Sequence, residues 1–245
     1  MLADAVLLAA GNSTRIAAVS GGIPKPLLPV RGEPVLVRNA RRLAAAGVQR
    51  LWVNLHYRGD LIRAALGDGR AIGLRIDYSE EPTILGTAGG VRKLLASLGE
   101  TFLVVYGDNL VELDLRGFVD SHVTRGADVS IALFDERTPN TGLAGGRVAV
   151  GGDDVVVAFV EGATDAAAFP LVSAGVYAVR ARVLKDFPEG VFLDWGKDVF
   201  PRLLAGGGGA RILGYRIEGY CLGLDTPASY ERGLALISSG QVTLQ

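Results

Sequence analysis

The sequence predicts an α/β protein in which helices cover both faces of a mixed, mainly parallel central sheet. In the first half of the 245-residue chain, strand-like and helix-like segments alternate, which is the rhythm of a parallel sheet with crossover helices. After about residue 126 the pattern changes to closely spaced strands separated by glycine-rich turns, which predicts a mixed extension of the sheet. Together these observations predict a Rossmann-like α/β/α sandwich.

In the first half, strands are predicted where short apolar runs occur, and helices where apolar residues recur at helical spacing. The predicted strands are 3–9, 51–55, 74–78 and 101–106. The predicted helices are 34–46, 59–66, 88–97 and 115–125. Right-handed crossovers place these helices on both faces of the sheet, and a ligand crevice is expected at the carboxyl ends of the strands.

In the second half, the strands come closer together and fewer helices separate them. The predicted strands are 128–134, 146–150, 154–160, 173–179 and 211–216. Helices are predicted over 197–204 and after Pro227. We expect a single domain over residues 1–245, since a chain of this length is ordinary for one α/β domain.

Composition excludes several classes of protein. A formal net charge of -1 gives no basic footprint for a nucleic-acid duplex. Cys221 is the single cysteine, so no intrachain disulfide can form. The N-terminus lacks the pattern of a signal peptide, and no apolar run approaches the roughly 20 residues of a membrane span. We therefore expect a soluble, cytoplasmic protein without nucleic-acid or membrane partners, and the oligomeric state, including a homo-oligomer, stays open.

A small-residue loop follows the first apolar strand. The segment Leu7–Arg15 ends the strand and contains a serine and a threonine, and Pro24-Lys25-Pro26 follows ten residues later. Successive free backbone amides form an anion nest, to which hydroxyls add donors. Arg15 brings a planar fork suited to phosphate oxygens and Lys25 a point charge, held on a backbone that the two prolines restrict. These features favour a polyphosphate site.

A solvated surface turn is the alternative for such a loop taken alone. The combination of the motifs Ala-Ala-Gly, Thr-Arg and Pro-Lys-Pro, however, resembles the signature of the sugar-1-phosphate nucleotidyltransferases, also called nucleotide-sugar pyrophosphorylases. The resemblance covers nearly the whole chain and implies the nucleotide-diphospho-sugar transferase fold. It implies that residues 1–126 form a nucleotide-binding half and residues 127–245 a sugar-phosphate-binding half.

The resemblance also assigns roles to the loop. It implies catalytic functions for Arg15 and Lys25. It implies nucleotide-binding functions for Leu8, Ala9, Ala10, Gly11, Asn12, Ser13 and Thr14. The family usually has glycine where Ser13 stands, so the approach of the backbone to the triphosphate differs here.

A glycine and an acid follow the buried strand that ends at Tyr106. An aspartate at the end of such a strand suits Mg²⁺, which takes one or two carboxylates together with phosphate oxygens. The alternative for Asp108 is an Asx turn or a helix cap. In the family, Gly-Asp at this position holds the metal, so the resemblance implies a catalytic and metal-binding role for Asp108 and a nucleotide contact at Gly107.

A second metal ligand is expected late in the chain. Many family members carry an acid where Gly223 stands and a glycine where Asp225 stands, so these two residue types have exchanged places. Residues two apart on a strand share a face, and Asp225 could still reach the metal. The alternative is that Asp225 is the N-cap of the helix after Pro227.

The segment Glu81–Gly90 follows a strand and opens a helix. Without the resemblance, it is a helix N-terminus with Thr87 near the cap. With it, the segment is similar to the nucleobase loop of the family, and Glu81, Gly86 and Thr87 become nucleotide-binding residues. The residues of this segment favour members of the family that use GTP.

Two further segments resemble the sugar-binding pair of the family. The resemblance implies sugar contacts from Gly146, Glu161, Ser173 and Gly175. Family members often carry a lysine, which holds the sugar phosphate, where Gly162 stands. Arg180 and Lys197 are the two candidates for replacing it. A solvated strand end is the alternative for Glu161.

His56 and His122 have no partner at ligand or triad spacing, and Cys221 lies in an apolar strand, so all three are interpreted as structural residues.

The resemblance predicts Mg²⁺-dependent, direct attack of a sugar 1-phosphate on a nucleoside triphosphate, with release of pyrophosphate. GTP is favoured, with mannose- or heptose-type acceptors, and UTP, CTP or dTTP with another sugar phosphate is the alternative.

Two functions of other classes compete with this prediction. A regulatory subunit that binds nucleotide sugars without turnover is one, because positions 162 and 223 depart from the family pattern. A dinucleotide-dependent oxidoreductase is the other, and it is disfavoured because the loop at Gly11 lacks the Gly-x-Gly-x-x-Gly spacing.

Overall fold

The computed structural model of the protein describes residues 3–142, 145–162, 165, 167–206 and 209–244. The strands are β1 (Asp4–Leu8), β2 (Pro29–Val30), β3 (Glu33–Pro34), β4 (Arg50–Leu55), β5 (Arg75–Glu80), β6 (Thr101–Tyr106), β7 (Asn109–Val111), β8 (Val129–Phe134), β9 (Arg147–Val150), β10 (Val156–Val160), β11 (Leu171–Arg180), β12 (Ile212–Arg216) and β13 (Cys221–Gly223). The helices are α1 (Ala17–Ser20), α2 (Val35–Ala45), α3 (Gly59–Leu66), α4 (Gly86–Leu94), α5 (Leu115–Thr124), α6 (Phe200–Ala205) and α7 (Pro227–Ser238).

Among the described residues, nine strands form one mixed sheet. The first half supplies the parallel order β5-β4-β1-β6. The long strand β11 pairs antiparallel with β6, and beyond it the sheet divides into β8 with β12 and β9 with β10. The predicted change from parallel to mixed pairing is thus confirmed, with β11 as the junction.

Helices pack on both faces of the sheet and bury separate apolar clusters. On one face, Leu36 and Leu43 of α2, Ile62 of α3 and Phe118 of α5 are fully or almost fully buried. On the other, Val91 of α4 packs in a cluster with an aromatic group formed by Trp195, Phe200 and Tyr177. These two layers establish the predicted α/β/α sandwich.

Two local differences from the predicted elements affect the site. The predicted helix 197–204 begins earlier, as a π-helical turn over Trp195–Val199 that leads into α6. A short antiparallel pair, β7 with β13, brings the segment after Tyr106 beside the late segment that ends at Gly223.

In the part of the chain that the structure describes, no helix combines the length and apolar character needed to cross a membrane. The single-domain organisation, the cytoplasmic location and the oligomeric state stay predictions.

Candidate active site

A cleft of about 670 Å³ opens where β1, β4 and β6 end. Leu8, Asn54 and Tyr106, which are close to the carboxyl ends of these three strands, all line it. Every predicted site residue lines the same cleft except Gly107. The crevice therefore lies at the carboxyl edge of the parallel strands, as expected for an open α/β sheet.

Gly107 lies beneath the cleft instead of on its surface. Its backbone N–H donates to the Leu8 carbonyl oxygen at 2.9 Å. A Cβ atom at this position would lie 2.7 Å from that oxygen, so only glycine fits between the two strand ends. Gly107 therefore sets the spacing of β1 and β6, and its predicted contact with the nucleotide stays a prediction.

The loop after β1 presents free backbone donors to the cleft. The Ala9 N–H donates to Asn54 Oδ1 at 2.7 Å, which fixes the start of the loop. Among the described residues, the N–H groups of residues 10–13 have no intramolecular acceptor. Four consecutive free amides at a cleft surface are suited to an anion.

Ser13 adopts the left-handed conformation that the family's usual glycine would allow, with a φ of 56°. This conformation costs an L-residue roughly 1–2 kcal/mol. The Ser13 Oγ atom accepts the Lys25 backbone N–H at 2.7 Å, which offsets the cost. The departure from glycine thus ties the phosphate loop to the lysine segment.

Lys25 lies between two carboxylates that come from distant parts of the chain. Its Nζ atom contacts the Asp108 carboxylate directly and lies 2.6 Å from Asp225 Oδ1. The side chain is only 12% exposed. Burial acts to lower the pKa of Lys25, but the charges of Asp108 and Asp225 outweigh burial and raise it, so the ammonium group keeps its proton.

Asp225 lines the cleft and is not the N-cap of α7. The N-cap of α7 is Thr226, which forms a capping box with Ser229. Because β13 ends at Gly223, Asp225 reaches the cleft from the turn after the strand. A Cβ atom on Gly223 would lie 3.3 Å from Asp225 Oδ2, so this carboxylate lies beside the position of the acid that the family usually carries.

Asp108 and Asp225 fit a Mg²⁺ site. Both carboxylates contact the same ammonium group, so they already converge on one positive charge. Carboxylate oxygens together with phosphate oxygens are the ligands that Mg²⁺ prefers. Within the described residues, no cluster of three or more histidine, cysteine, aspartate or glutamate side chains could hold a metal, so a cation at this site would take its remaining ligands from water and substrate.

Arg15 lies at the mouth of the cleft. Its Nη2 atom is 3.4 Å from Asp225 Oδ1, and its side chain is 70% exposed. An exposed guanidinium that is anchored weakly can swing onto a phosphate group, and its planar fork suits two phosphate oxygens. The structure thus brings together the three predicted catalytic residues, Arg15, Lys25 and Asp108, around Asp225.

Asn54 joins the phosphate loop to the predicted nucleobase loop. Besides accepting the Ala9 N–H, it donates from Nδ2 to Glu81 Oε1 at 2.8 Å. The other carboxylate oxygen of the buried Glu81 accepts the Leu85 N–H at 2.9 Å. Glu81 therefore shapes its loop from beneath. Sequence reasoning missed Asn54, although a polar residue inside the apolar strand β4 is the signal that marks it.

Thr87 does not cap α4, whose N-cap is Leu85. The Thr87 hydroxyl donates to Asp194 Oδ2 at 2.8 Å and accepts the Trp195 N–H at 3.1 Å. The other Asp194 oxygen accepts the N–H groups of Gly196 and Lys197. Asp194, which sequence reasoning also missed, thereby caps the π-helical turn and attaches it to the predicted nucleobase loop.

Glu161 lies in a pocket formed by two glycines. A Cβ atom at Gly146 would lie 2.9 Å from Glu161 Oε1, and one at Gly196 would lie 2.2 Å from the same atom. Desolvation raises the pKa of Glu161, Asp194 raises it further, and Lys197 opposes the shift. Glu161 thus lines the cleft as an exposed residue directly after β10, and both Asp194 and Lys197 are close enough to shift its pKa.

An aromatic floor supports the other predicted sugar contacts. The Ser173 Oγ and Tyr177 Oη atoms are 3.1 Å apart, and the Tyr177 ring packs edge-on against Tyr106. Burial raises the pKa of Tyr177 to about 12, so its hydroxyl remains protonated at neutral pH. Gly175 lies against the Tyr106 ring, where a Cβ atom would come within 2.9 Å.

The two candidates for the missing lysine lie in different places. Lys197 lines the cleft. Arg180 is on β11 at the position paired with Thr101, the first residue of β6 and hence the far end of that strand, and it faces Asp128 at 4.0 Å. Arg180 is therefore excluded as a phosphate ligand.

The three residues interpreted as structural lie outside the cleft lining. His56 Nδ1 is 2.6 Å from the Glu81 carbonyl oxygen. His122 is buried against Ser130, and burial, with Arg180, lowers its pKa to about 4. Cys221 is buried, and burial raises the pKa of its thiol.

Comparisons with known proteins show the family to which the chain belongs. The model of the family described as Nucleotidyl transferase matches residues 4–213. The chain is 35% identical to a mannose-1-phosphate guanylyltransferase from Mycobacterium tuberculosis over 97% of its own length and 65% of the relative's. It is 31% identical to a UTP--glucose-1-phosphate uridylyltransferase from Synechocystis over 83% of its length and 55% of the relative's.

A third relative and a solved structure extend the comparison. A D-glycero-alpha-D-manno-heptose 1-phosphate guanylyltransferase from Aneurinibacillus thermoaerophilus is 30% identical over 53% of this chain and 56% of the relative. The chain thus spans less than two thirds of the length of these curated relatives. The structure of HddC from Yersinia pseudotuberculosis, complexed with GMP-PN, aligns with a TM-score of 0.79 at 25% identity, over 96% of this chain and 99% of HddC.

Proposed function

The chain belongs to the nucleotidyl transferase family, and on that premise we propose that it is a sugar-1-phosphate nucleotidyltransferase. It joins the nucleotidyl group of a nucleoside triphosphate to a sugar 1-phosphate and releases pyrophosphate. GTP is the favoured nucleotide, and a mannose- or heptose-type sugar 1-phosphate is the favoured acceptor.

The observation that carries the proposal is the convergence of Lys25, Asp108 and Asp225 beside a loop with free amides. This cluster shares one cleft with Glu161, a hydrogen-bond acceptor suited to sugar hydroxyls. The lining of one cleft therefore contains cations suited to a triphosphate and a carboxylate suited to sugar hydroxyls.

The reaction is a direct displacement. An oxygen of the sugar phosphate attacks the α-phosphorus, the bond from the α-phosphorus to the bridging oxygen breaks, and pyrophosphate leaves with the electron pair. Lys25 stabilises the charge that grows on the α-phosphate, and Arg15 binds the departing pyrophosphate. Mg²⁺ held by Asp108 and Asp225 would supply further charge neutralisation on the phosphates. No protein nucleophile is needed.

The preference for GTP is supported by the guanylyltransferases among the relatives and by the HddC complex. A second candidate is the same reaction with UTP, which the relative named as a UTP--glucose-1-phosphate uridylyltransferase favours. Both candidates use the same cleft and the same cations, and they differ in the base that the 81–87 loop accepts.

Pyrophosphate release from a matrix of four nucleoside triphosphates against mannose, heptose and glucose 1-phosphates tests the proposal. We expect release that requires Mg²⁺ and is strongest with GTP and mannose or heptose 1-phosphate. Strongest release with UTP and glucose 1-phosphate would select the second candidate. Binding without pyrophosphate release from any pair would reject turnover and favour a nucleotide-sugar-binding regulatory subunit.

The Asp225→Asn variant tests the metal site within the same assay. Loss of one negative charge weakens the attraction for Mg²⁺, so we expect half-maximal activity at a higher Mg²⁺ concentration. A matched control is Asp165→Asn, on a residue that does not line the cleft. An unchanged Mg²⁺ requirement in Asp225→Asn would remove Asp225 from the metal site.

A further inference from the structure

We propose that Lys197 provides the positive charge that binds the phosphate of the sugar 1-phosphate, in place of a lysine at position 162. This inference rests on the proposed function and names the side chain that recognises the anionic part of the acceptor. A dianionic phosphate in a partly desolvated cleft requires a charge-assisted partner.

Position 162 cannot supply that charge. Gly162 has a φ of 72°, in the left-handed region where a lysine would be strained. The space around it is open, with no described atom within 4 Å of a Cβ built on it. The backbone here is shaped for glycine, so the cation must come from another element.

Lys197 is held in a fixed backbone position on the cleft lining. Its N–H donates to Asp194 Oδ1 at 3.2 Å, within the cap of the π-helical turn. The same aspartate bonds Thr87, so the turn is anchored to the nucleobase loop. π-Helical segments are rare in proteins, and those that occur are frequently found at functional sites.

The ammonium group of Lys197 has no direct polar partner, although it is close enough to Glu161 to lower the pKa of that carboxyl group. Among the residues that the structure describes, it forms no salt bridge and no side-chain hydrogen bond. Arg15 and Lys25, the other two cations of the cleft lining, both contact Asp225. Of these three cations, Lys197 is therefore the one whose positive charge is available to a ligand beside Glu161.

Glu161 and Lys197 are placed to hold the two ends of one small ligand. The Glu161 carboxylate packs against Gly196, the residue before Lys197, because a Cβ there would lie 2.2 Å from Glu161 Oε1. In a sugar 1-phosphate, the phosphate and the ring hydroxyls are only a few bonds apart. A carboxylate acceptor for hydroxyls beside an ammonium group for phosphate matches that chemistry.

Kinetics of Lys197→Met, Lys197→Arg and the control Lys185→Met test the inference. Lys185 is an exposed lysine outside the cleft. We expect Lys197→Met to raise the KM for mannose 1-phosphate or glucose 1-phosphate about 10- to 100-fold, the loss typical of a charge-assisted hydrogen bond. The KM for GTP should change less than about twofold, Lys197→Arg should retain part of the affinity, and Lys185→Met should match the wild type.

Equilibrium binding measured by calorimetry separates this inference from the proposed function. Mannose 1-phosphate should bind Lys197→Met more weakly than it binds the wild type, whereas the neutral probe methyl α-mannoside should bind both equally. An equal affinity of the two proteins for mannose 1-phosphate would overturn the inference. Absence of turnover in the wild type would overturn the proposed function, and the binding comparison would still decide the role of Lys197.

Discussion

The proposed nucleotide side of the cleft, at Lys25, Asp108 and Asp225, and the proposed sugar side, at Glu161 and Lys197, differ in how their charges are paired. On the nucleotide side, Lys25 is paired with Asp108 and Asp225 inside the protein. On the sugar side, Lys197 lies close enough to lower the pKa of Glu161, but within the described chain the two side chains form no salt bridge. Lys25 therefore has its counter-ions within the protein, whereas a ligand would have to balance the charges of Glu161 and Lys197.

Burial explains the difference. Lys25, Asp108 and Asp225 have side chains that are 12%, 21% and 14% exposed. A charge removed from water must be paired, because its desolvation is otherwise too costly. Glu161 and Lys197 are exposed at the cleft wall, so they can remain charged without a partner. Pairing preorganises the nucleotide side, whereas exposure keeps the sugar side available.

The largest expected effect comes from removing the central cation. Lys25→Met should lower kcat by about 10²- to 10³-fold, since it removes a donor that acts on charge developing in the transition state. Steady-state pyrophosphate release measures the effect, with Lys185→Met as the control. A kcat within a few fold of the wild type would show that pairing at Lys25 serves the fold and not the reaction.

The same variant also tests whether the carboxylate pair is a cation site. Without Lys25, Asp108 and Asp225 are left facing each other, so Mg²⁺ should raise the unfolding temperature of Lys25→Met more than that of the wild type. Thermal unfolding with and without Mg²⁺ measures this difference. Equal shifts in the two proteins would contradict the assignment of both acids to one metal.

A smaller effect is expected at the buried amide that joins the two nucleotide loops. Asn54→Ala leaves the Ala9 N–H and a buried Glu81 oxygen without their partner, which should reduce the free energy of unfolding by about 1–3 kcal/mol. Urea denaturation measures it. Asn12→Ala, on an exposed residue, should be neutral, and equal stability of the two variants would refute the bridging role.

On the sugar side, the expected effect is on substrate affinity alone. Glu161→Gln keeps the shape but removes the charge, and it should raise the KM for the sugar phosphate about tenfold while the KM for GTP stays unchanged. Glu136→Gln, on an exposed residue outside the cleft, is the control. An equal increase of the KM for the sugar phosphate and the KM for GTP would contradict a role of Glu161 in binding the sugar phosphate alone.

The smallest effect concerns the pKa of Glu161. Lys197 holds this pKa down against desolvation and Asp194, so Lys197→Met should raise it further, whereas Lys185→Met should leave it unchanged. Carbon NMR of the glutamate carboxyl groups during a pH titration reads the shift. Because the pKa is raised, Glu161 takes up a proton at a higher pH than an ordinary glutamate, and acceptor binding should weaken as the pH falls through that value. A lower pKa in Lys197→Met would contradict the placement of the ammonium group.

Local sequence patterns predicted the long elements well. The predicted helix 59–66 and strand 101–106 coincide with α3 and β6. The short strands β2 and β3 were not predicted, because two residues carry no measurable periodicity. The π-helical turn was missed because its start is fixed by Asp194, whose partner Thr87 is distant in the sequence.

Resemblance predicted residues that line one cleft, but it did not predict their hydrogen-bond and salt-bridge partners. Lys25 and Asp225 are 200 residues apart in the sequence, and only the meeting of β7 with β13 beside the loop brings them together. Glu81 was predicted as a ligand contact, yet its oxygens are used by Asn54 and by the Leu85 N–H. Resemblance identified positions, whereas the hydrogen bonds of those positions depend on tertiary structure.

Asp194 has a consequence for anyone who redesigns this protein. Its hydrogen bond with Thr87 connects the π-helical turn, which would contact the acceptor, to the 81–90 segment, which would contact the base. On the proposed function, we expect variants that break this hydrogen bond from either segment to be impaired in both base preference and acceptor preference. Changing the preference for base or for acceptor without impairing the other would require both segments to be redesigned together.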